Sequence, residues 1–350
     1  MKIVFVETEE EERVFFADRF PGHEVGFVET IEDVDRDAEI VSVFVNSRVG
    51  AGFLRLHPRL RLVATRSSAT DHLDVKAAAR RGVVLARVPD YGAATVAEHT
   101  FALILGVARR LRHCLDAKNR GRGSSERLRG FELRGKTLGV IGTGRVGRRV
   151  LRIARAFGME CLAHDRRPDE ELAAGLGFRY VSLDQLLRKS DVITLHIPLT
   201  RGTRHLLNAR RLARGKPGLV LINTARGALV DIDALLQGLN SGRIGGVGLD
   251  VLEDEAAFRG DPSRIIGAQI VQKIQAMSTP GGDRELRQER LRELQGILRN
   301  RQLLAHENVF FTPHVGFNSV EAMERINLGT VRNIRDFIAG KLRPEAVVGA

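Results

Sequence analysis

The pattern Gly142-x-Gly144-x-x-Gly147 follows an apolar run at 137–141 and leads into a helix-like stretch at 145–157. Strand, tight turn and helix, in that order, form the setting in which these glycines carry a mechanism. Gly142 permits the turn, Gly144 leaves the backbone open to close approach, and Gly147 lets helix and strand pack together. The helix N-terminus then faces whatever anion enters, so a pyrophosphate, and with it a dinucleotide, is the natural ligand. Alone the motif is weak; its position constrains more. Because 141 residues precede Gly142, something else must be built first. We therefore expect two lobes with the active site in the interlobe cleft.

A chain of 350 residues suits two domains of ordinary size, and 43% hydrophobic with 28% charged residues describes a globular protein rather than a disordered or membrane one. The longest uncharged apolar stretch, 101–108, is too short to span a bilayer. The opening strand-like residues give way at once to Glu7 and Glu9 to Glu12, which is not a signal peptide, so cytoplasmic residence is expected. Cys114 and Cys161 lie apart without metal-type spacing and are read as reduced thiols; no metal site is expected. The net charge of +12 comes from arginines spread along the chain and mixed with acids, without a basic block. Nucleic acid is therefore not the expected partner.

The fold class expected is α/β, with two Rossmann-like or flavodoxin-like lobes built on doubly wound parallel sheets. In the first lobe, strands are expected at 2–7, 40–46, 62–66 and 83–87. Its first turn carries glutamates where phosphate would need glycine, so it is not the cofactor lobe. One long helix is expected over 94–118, followed by a polar linker at 119–125. Further strands are expected at 137–141, 160–164, 192–198, 219–223 and 246–249, and a last helix at 319–340 can return to the first lobe. The boundaries that follow are 1–110 with 315–350 for a substrate-binding domain and 111–314 for the dinucleotide domain. An irregular region near 256–308 reads as an insertion, with Leu291, Leu294 and Leu298 on one face of an amphipathic helix.

Asp165, at the end of the strand after the glycine loop, suits the ribose hydroxyls of NAD and repels the 2′-phosphate of NADP. Arg166 and Arg167 leave a route to that phosphate open. Three later segments end strands of the same lobe: 223–227, 248–255 and 312–317. Such strand ends are where ligands bind in α/β sheets. Reducing a ketone by hydride transfer needs a proton donor at the developing alkoxide, and a histidine supplies one near neutral pH. A neighbouring carboxylate favours the imidazolium, and an arginine grips a substrate carboxylate through two parallel hydrogen bonds. Arg226, Glu255 and His314 supply those three roles. Taken singly, each has an ordinary structural or solvated explanation; together, behind a glycine fingerprint, they read as catalytic.

The chain resembles the D-isomer-specific 2-hydroxyacid dehydrogenases, and within them the D-lactate dehydrogenase-like branch. The resemblance runs from Val63-Ala64-Thr65-Arg66 and Asp71-His72-Leu73-Asp74, through Val88-Pro89-Asp90-Tyr91 and Val96-Ala97-Glu98, to the glycine loop and the three later segments. It implies that Arg226 binds the 2-oxo acid, His314 is the acid/base and Glu255 is its partner. It implies that Gly142, Thr143, Gly144, Arg145, Val146 and Gly147 cradle NAD and that Asp250 holds its carboxamide. His196, Pro198, Thr224 and Ala225 would lie along the cofactor. Backbone amides near Ser68 and Ala69 would receive the substrate carboxylate, while Tyr91 and Phe317 would line the side-chain pocket. Ala69 stands where many relatives have glycine, and the interval from Glu255 to His314 is longer than usual. The resemblance also implies a homodimer and a small 2-oxo or 2-hydroxy acid as partner. A glyoxylate or hydroxypyruvate reductase, or an NAD(H)-sensing corepressor-like protein, are the alternatives.

Replacing Glu255 with glutamine removes the counter-charge that favours the imidazolium of His314, so the acid/base pKa falls. We expect the pH optimum of 2-oxo acid reduction to move downward in Glu255→Gln. An unmoved pH–rate profile would dissolve the pairing.

Overall fold

Most of the short Val-, Ile- and Leu-rich runs are buried along their whole length, as strands covered on both faces must be. They form two parallel sheets in a computed structural model that describes residues 1–120, 128–253 and 284–348. Glu255, part of the expected linker and the first half of the expected insertion lie outside the described residues. The chain divides into two compact units, 1–92 with 318–350, and 93–317.

The first unit contains β1 (Lys2–Val6), β2 (Glu24–Val28), β3 (Ile40–Val43), β4 (Leu62–Thr65) and β5 (Val84–Arg87), in the order β2-β1-β3-β4-β5. This 2-1-3-4-5 order is flavodoxin-like. On one face Phe5 stacks on Phe16 with ring centroids 4.2 Å apart, and Ile3, Ile40 and Leu62 join them. The helix Val320–Ile338 closes the same layer through Val331 and Ile334 and starts where the Ser319 hydroxyl accepts from Ala322 N–H.

The second unit contains β6 (Thr137–Ile141), β7 (Glu160–His164), β8 (Arg179–Tyr180), β9 (Val192–Leu195), β10 (Leu219–Asn223), β11 (Ile244–Leu249) and β12 (Val309–Phe311). Their order is β12-β11-β10-β9-β6-β7-β8. Numbered within the unit this is 3-2-1-4-5-6, the dinucleotide-binding order, with a seventh strand at the far edge. Three strands, β2, β8 and β12, escape the sequence pattern. Gly26 interrupts β2 and leaves it half exposed, while β8 and β12 have two and three residues, too few for a period to register.

The helix expected over 94–118 is in fact two, Ala93–Ala108 and Leu111–Arg120. Between them Arg110 takes a left-handed backbone with φ 51°. The carbonyl of Ala108 accepts from Phe131 N–H, a non-local donor that ends the helix. The first of the pair packs on β10, β11, β12 and the helix Arg145–Ala156, so it belongs to the second unit, whereas a boundary at 110 assigns it to the first. In the helix Arg284–Ala305 the side chain of Leu291 lies outside the described residues, Leu294 is half-buried and Leu298 is 48% exposed; among the described residues Ile297, Asn300 and Leu303 are turned inward. A buried asparagine conceals that stripe from an apolar count; its Nδ2 donates to Glu253 O at 2.9 Å.

Phe16 anchors the first unit's core from the helix Glu10–Ala17. We expect Phe16→Ala to cost about 3–5 kcal/mol, the usual loss for truncating a buried aromatic. Urea titration would show it as a lower midpoint with unchanged slope.

Candidate active site

Parallel pairing sends every strand of the second unit out of the sheet on one edge, and the expected residues follow in spatial order along it. Asp165 follows β7, the glycine loop β6, His196 β9, Arg226 β10, Asp250 β11 and His314 β12. The strand order reverses between β6 and β9, which is where an open α/β sheet leaves a crevice.

At that point Gly142 turns with φ 97° and donates its N–H to His164 O at 2.8 Å. A side chain at Gly147 would overlap the Gly142 carbonyl, so the helix Arg145–Ala156 lies tight against the loop. Its N-cap is Gly144, which has no side chain to satisfy the first N–H groups and nothing within 4 Å of where a Cβ would stand. A helix start with no side-chain cap, beside empty space, fits a pyrophosphate. Asp165 is tied to the same loop: Oδ2 accepts from Thr143 N–H at 2.8 Å and Thr143 Oγ1 at 3.0 Å, and Oδ1 from Arg167 N–H at 3.0 Å. Burial raises its pKa, but the N–H groups of Arg167 and Thr143 and the Thr143 hydroxyl outweigh burial and hold the carboxyl below its ordinary value. Thr143 Oγ1 also lies 2.8 Å from Tyr180 Oη.

Beyond β9, His196 N–H donates to Ile141 O and its Nε2 lies 3.0 Å from Thr194 Oγ1. Burial pushes the ring's pKa down to about 3, so His196 is neutral at physiological pH. Pro198 is exposed and its carbonyl accepts from Thr203 Oγ1. After β10 the buried Asn223 brackets the turn: its Oδ1 accepts from Ala225 N–H at 3.0 Å and its Nδ2 donates to Arg226 O at 2.9 Å. The turn holds Arg226 half-buried, with Nη1 donating to Ala225 O, while Thr224 Oγ1 lies 3.0 Å from Thr100 Oγ1.

Asp250 is 2% exposed, and its carboxylate receives the loop that carries His314. Oδ1 accepts from Thr312 Oγ1 at 2.6 Å and Val315 N–H at 3.0 Å; Oδ2 accepts from Gly316 N–H at 2.9 Å. His314 sits in that loop with φ 54° and donates its own N–H to Asp250 O at 2.8 Å. A non-glycine residue in this region costs about 1–2 kcal/mol and persists only where its surroundings over-determine it. Phe317 meets the His314 ring edge-on at 6.3 Å.

The remaining expected residues stand in the first unit, after β4 and β5. Ser68 is exposed and Ala69 half-buried; Ser67 Oγ donates to Ala69 O at 2.7 Å, and Thr65 Oγ1 links Ser67 Oγ to His72 Nε2. Arg66, 1% exposed, donates through Nη2 to the carbonyls of Val6 and Glu7 and so moors this turn to the end of β1. Tyr91 is half-buried, and its carbonyl accepts from Arg325 Nε at 2.7 Å.

Sequence reasoning passed over Asn223, Thr312, Tyr180 and His99. Asn223 and Thr312 lie inside segments already singled out. Tyr180 is one of only two tyrosines and ends a strand too short to register. His99 offered a signal as the imidazole just before the apolar run at 101–108, and its Nε2 reaches Thr312 Oγ1 at 2.8 Å.

The chain is similar to known proteins along most of its length. Residues 101–316 match the model of the D-isomer specific 2-hydroxyacid dehydrogenase NAD binding domain. The chain is 34% identical over 315 residues to a D-lactate dehydrogenase of Escherichia coli, covering 89% of this chain and 86% of that one. It is also 34% identical over 329 residues to a glyoxylate reductase of Aeropyrum pernix, covering 91% and 85%. The solved D-lactate dehydrogenase of Aquifex aeolicus, complexed with NAD and lactic acid, superposes with a TM-score of 0.80 at 34% identity over 97% of this chain and 96% of that one. The chain belongs to the D-isomer-specific 2-hydroxyacid dehydrogenase family. It is an oxidoreductase whose cofactor is NAD.

If Asp165 partners the ribose hydroxyls as expected from the sequence, Asp165→Ala removes hydrogen bonds to a charged acceptor and the repulsion of a 2′-phosphate together. Such bonds are worth about 1.5–3 kcal/mol each. We expect the preference for NADH over NADPH, as the ratio of kcat/KM values, to shrink by roughly tenfold or more. An unchanged ratio would move the selection elsewhere.

Proposed function

We propose that the protein reduces a small 2-oxo acid to a D-2-hydroxy acid, reversibly, in the manner of a D-lactate dehydrogenase. The observation that carries this reading is the His314 loop: an imidazole on a strained backbone, in a loop whose Thr312 hydroxyl and Gly316 N–H bind a buried carboxylate, on the same sheet edge as the glycine loop and Arg226. NADH, when bound, supplies the hydride. His314 moves a proton to the carbonyl oxygen as charge develops there, and in the reverse direction takes it back. The Arg226 guanidinium binds and polarises the 2-oxo acid. Glu255 holds the imidazolium form, and the amides near Ser68 and Ala69 receive the substrate carboxylate.

Tyr91 and Phe317 favour an apolar substituent, such as that of pyruvate or a branched 2-oxo acid. The likeness to a glyoxylate reductase at the same identity as to a D-lactate dehydrogenase keeps glyoxylate and hydroxypyruvate as the second reading. Unpaired Cys114 and Cys161, the latter with its thiol pushed by burial up to about 11, are consistent with work in the cytoplasm. The resemblance supports a homodimer.

Steady-state assays with pyruvate, a branched 2-oxo acid, glyoxylate and hydroxypyruvate, each with NADH and NADPH, decide among these substrates. Pyruvate or the branched acid should give the highest kcat/KM; a preference for glyoxylate or hydroxypyruvate would install the second reading. His314→Gln should lower kcat by roughly two to four orders of magnitude, the usual worth of a positioned acid. Retained turnover would remove His314 from the chemistry.

A further inference from the structure

The loop that bears His314 touches a second histidine, one outside the reacting trio. Thr312 has a single hydroxyl proton, and it is given to Asp250 Oδ1. The hydroxyl oxygen is then left as an acceptor for His99 Nε2 at 2.8 Å, so neutral His99 carries its proton on Nε2. The same nitrogen lies 3.3 Å from Asp250 Oδ1. A donor chain therefore runs from His99 through Thr312 to Asp250, the carboxylate on which Val315 N–H and Gly316 N–H converge. Contact in this corner is close. A Cβ at Gly316 would stand 2.7 Å from Asp250 Oδ2 and 3.1 Å from His99 Cδ2.

His99 itself is rigidly presented. It projects from the helix Ala93–Ala108, whose register is fixed by the buried Ala97, Phe101 and Ile104. An apolar side chain would fill the same space, so packing alone does not call for an imidazole. A directional donor does. Without it the Thr312 hydroxyl can rotate away, Asp250 Oδ1 loses contacts, and the left-handed backbone of His314 loses part of what over-determines it.

We infer that His99 is a positioning residue for the acid/base: it locks Thr312 and Asp250 into the arrangement that holds His314 in its left-handed conformation. This inference rests on the proposed role of His314. His99→Phe keeps the bulk without a donor, Thr312→Val removes the relay, and His99→Gln keeps an Nε2–H donor. Misplacing a reacting group by about 1 Å can cost roughly a hundredfold in rate. We therefore expect His99→Phe and Thr312→Val each to lower kcat about 10- to 100-fold. KM for the 2-oxo acid should stay within about twofold, since Arg226 and the turn at Ser68 and Ala69 are untouched. The double variant should be no worse than the worse single, and His99→Gln should recover most of the rate. Independently of turnover, amide hydrogen exchange at Val315 and Gly316 should accelerate in His99→Phe and Thr312→Val while the helix Ala93–Ala108 stays protected. If the wild type reduces none of the 2-oxo acids, the proposed function falls, and exchange still tests the positioning. Wild-type kcat in His99→Phe, additive losses, a His99→Gln as poor as His99→Phe, or exchange spread along the whole helix would each overturn it.

Discussion

Parallel strand pairing is the constraint from which the rest of this molecule follows. Each strand must be re-entered from the same end, so every turn that leaves a sheet leaves on one edge, and side chains far apart in sequence become neighbours there. In the second unit that edge carries the glycine loop, Arg226, Asp250 and His314 in the spatial order of their strands. The buried strands supply hydrophobic stabilisation and fix spacing; the turns carry polar chemistry. A shift in one strand's register would move its functional turn by a whole residue, and a one-residue shift would also turn buried side chains toward the other face.

Two carboxylates in this unit are organised in the same way. Each accepts from a threonine hydroxyl, Asp165 from Thr143 and Asp250 from Thr312, and each threonine oxygen lies against a second polar ring, Tyr180 or His99. A threonine has one proton to give and lone pairs to receive, so it converts a distant ring into a constraint on a carboxylate. The two sites differ in exposure. Asp165 is half-buried beside the open end of the helix Arg145–Ala156, where an acid can meet a ligand. Asp250 is buried, and an inward-facing carboxylate must be satisfied by the protein itself.

Much of this was legible in the residues. The glycine loop, its flanking strand and helix, and the turns after β10, β11 and β12 could be located because each combines an apolar run with an abrupt change to polar residues. Strand limits at β6, β7 and β10 could be read directly, for their burial is continuous or nearly so. What could not be read depends on contacts between distant segments. The break at Arg110 arises because Phe131 caps Ala108, the inward face of the helix Arg284–Ala305 includes Asn300 because Glu253 offers a carbonyl, and His99 matters through Thr312. No periodicity encodes such a partner.

The edge strand β12 has only three residues, paired Val247 with Val309, Gly248 with Phe310 and Leu249 with Phe311. Those pairs come immediately before the turn that carries His314. Whatever length of sequence separates β11 from β12, the chain regains its register at Val309 and delivers the imidazole after the same short run. The strand thus acts as a docking rail that makes the position of His314 independent of the arc length behind it. Segments inserted upstream can grow, shrink or acquire other duties without displacing His314.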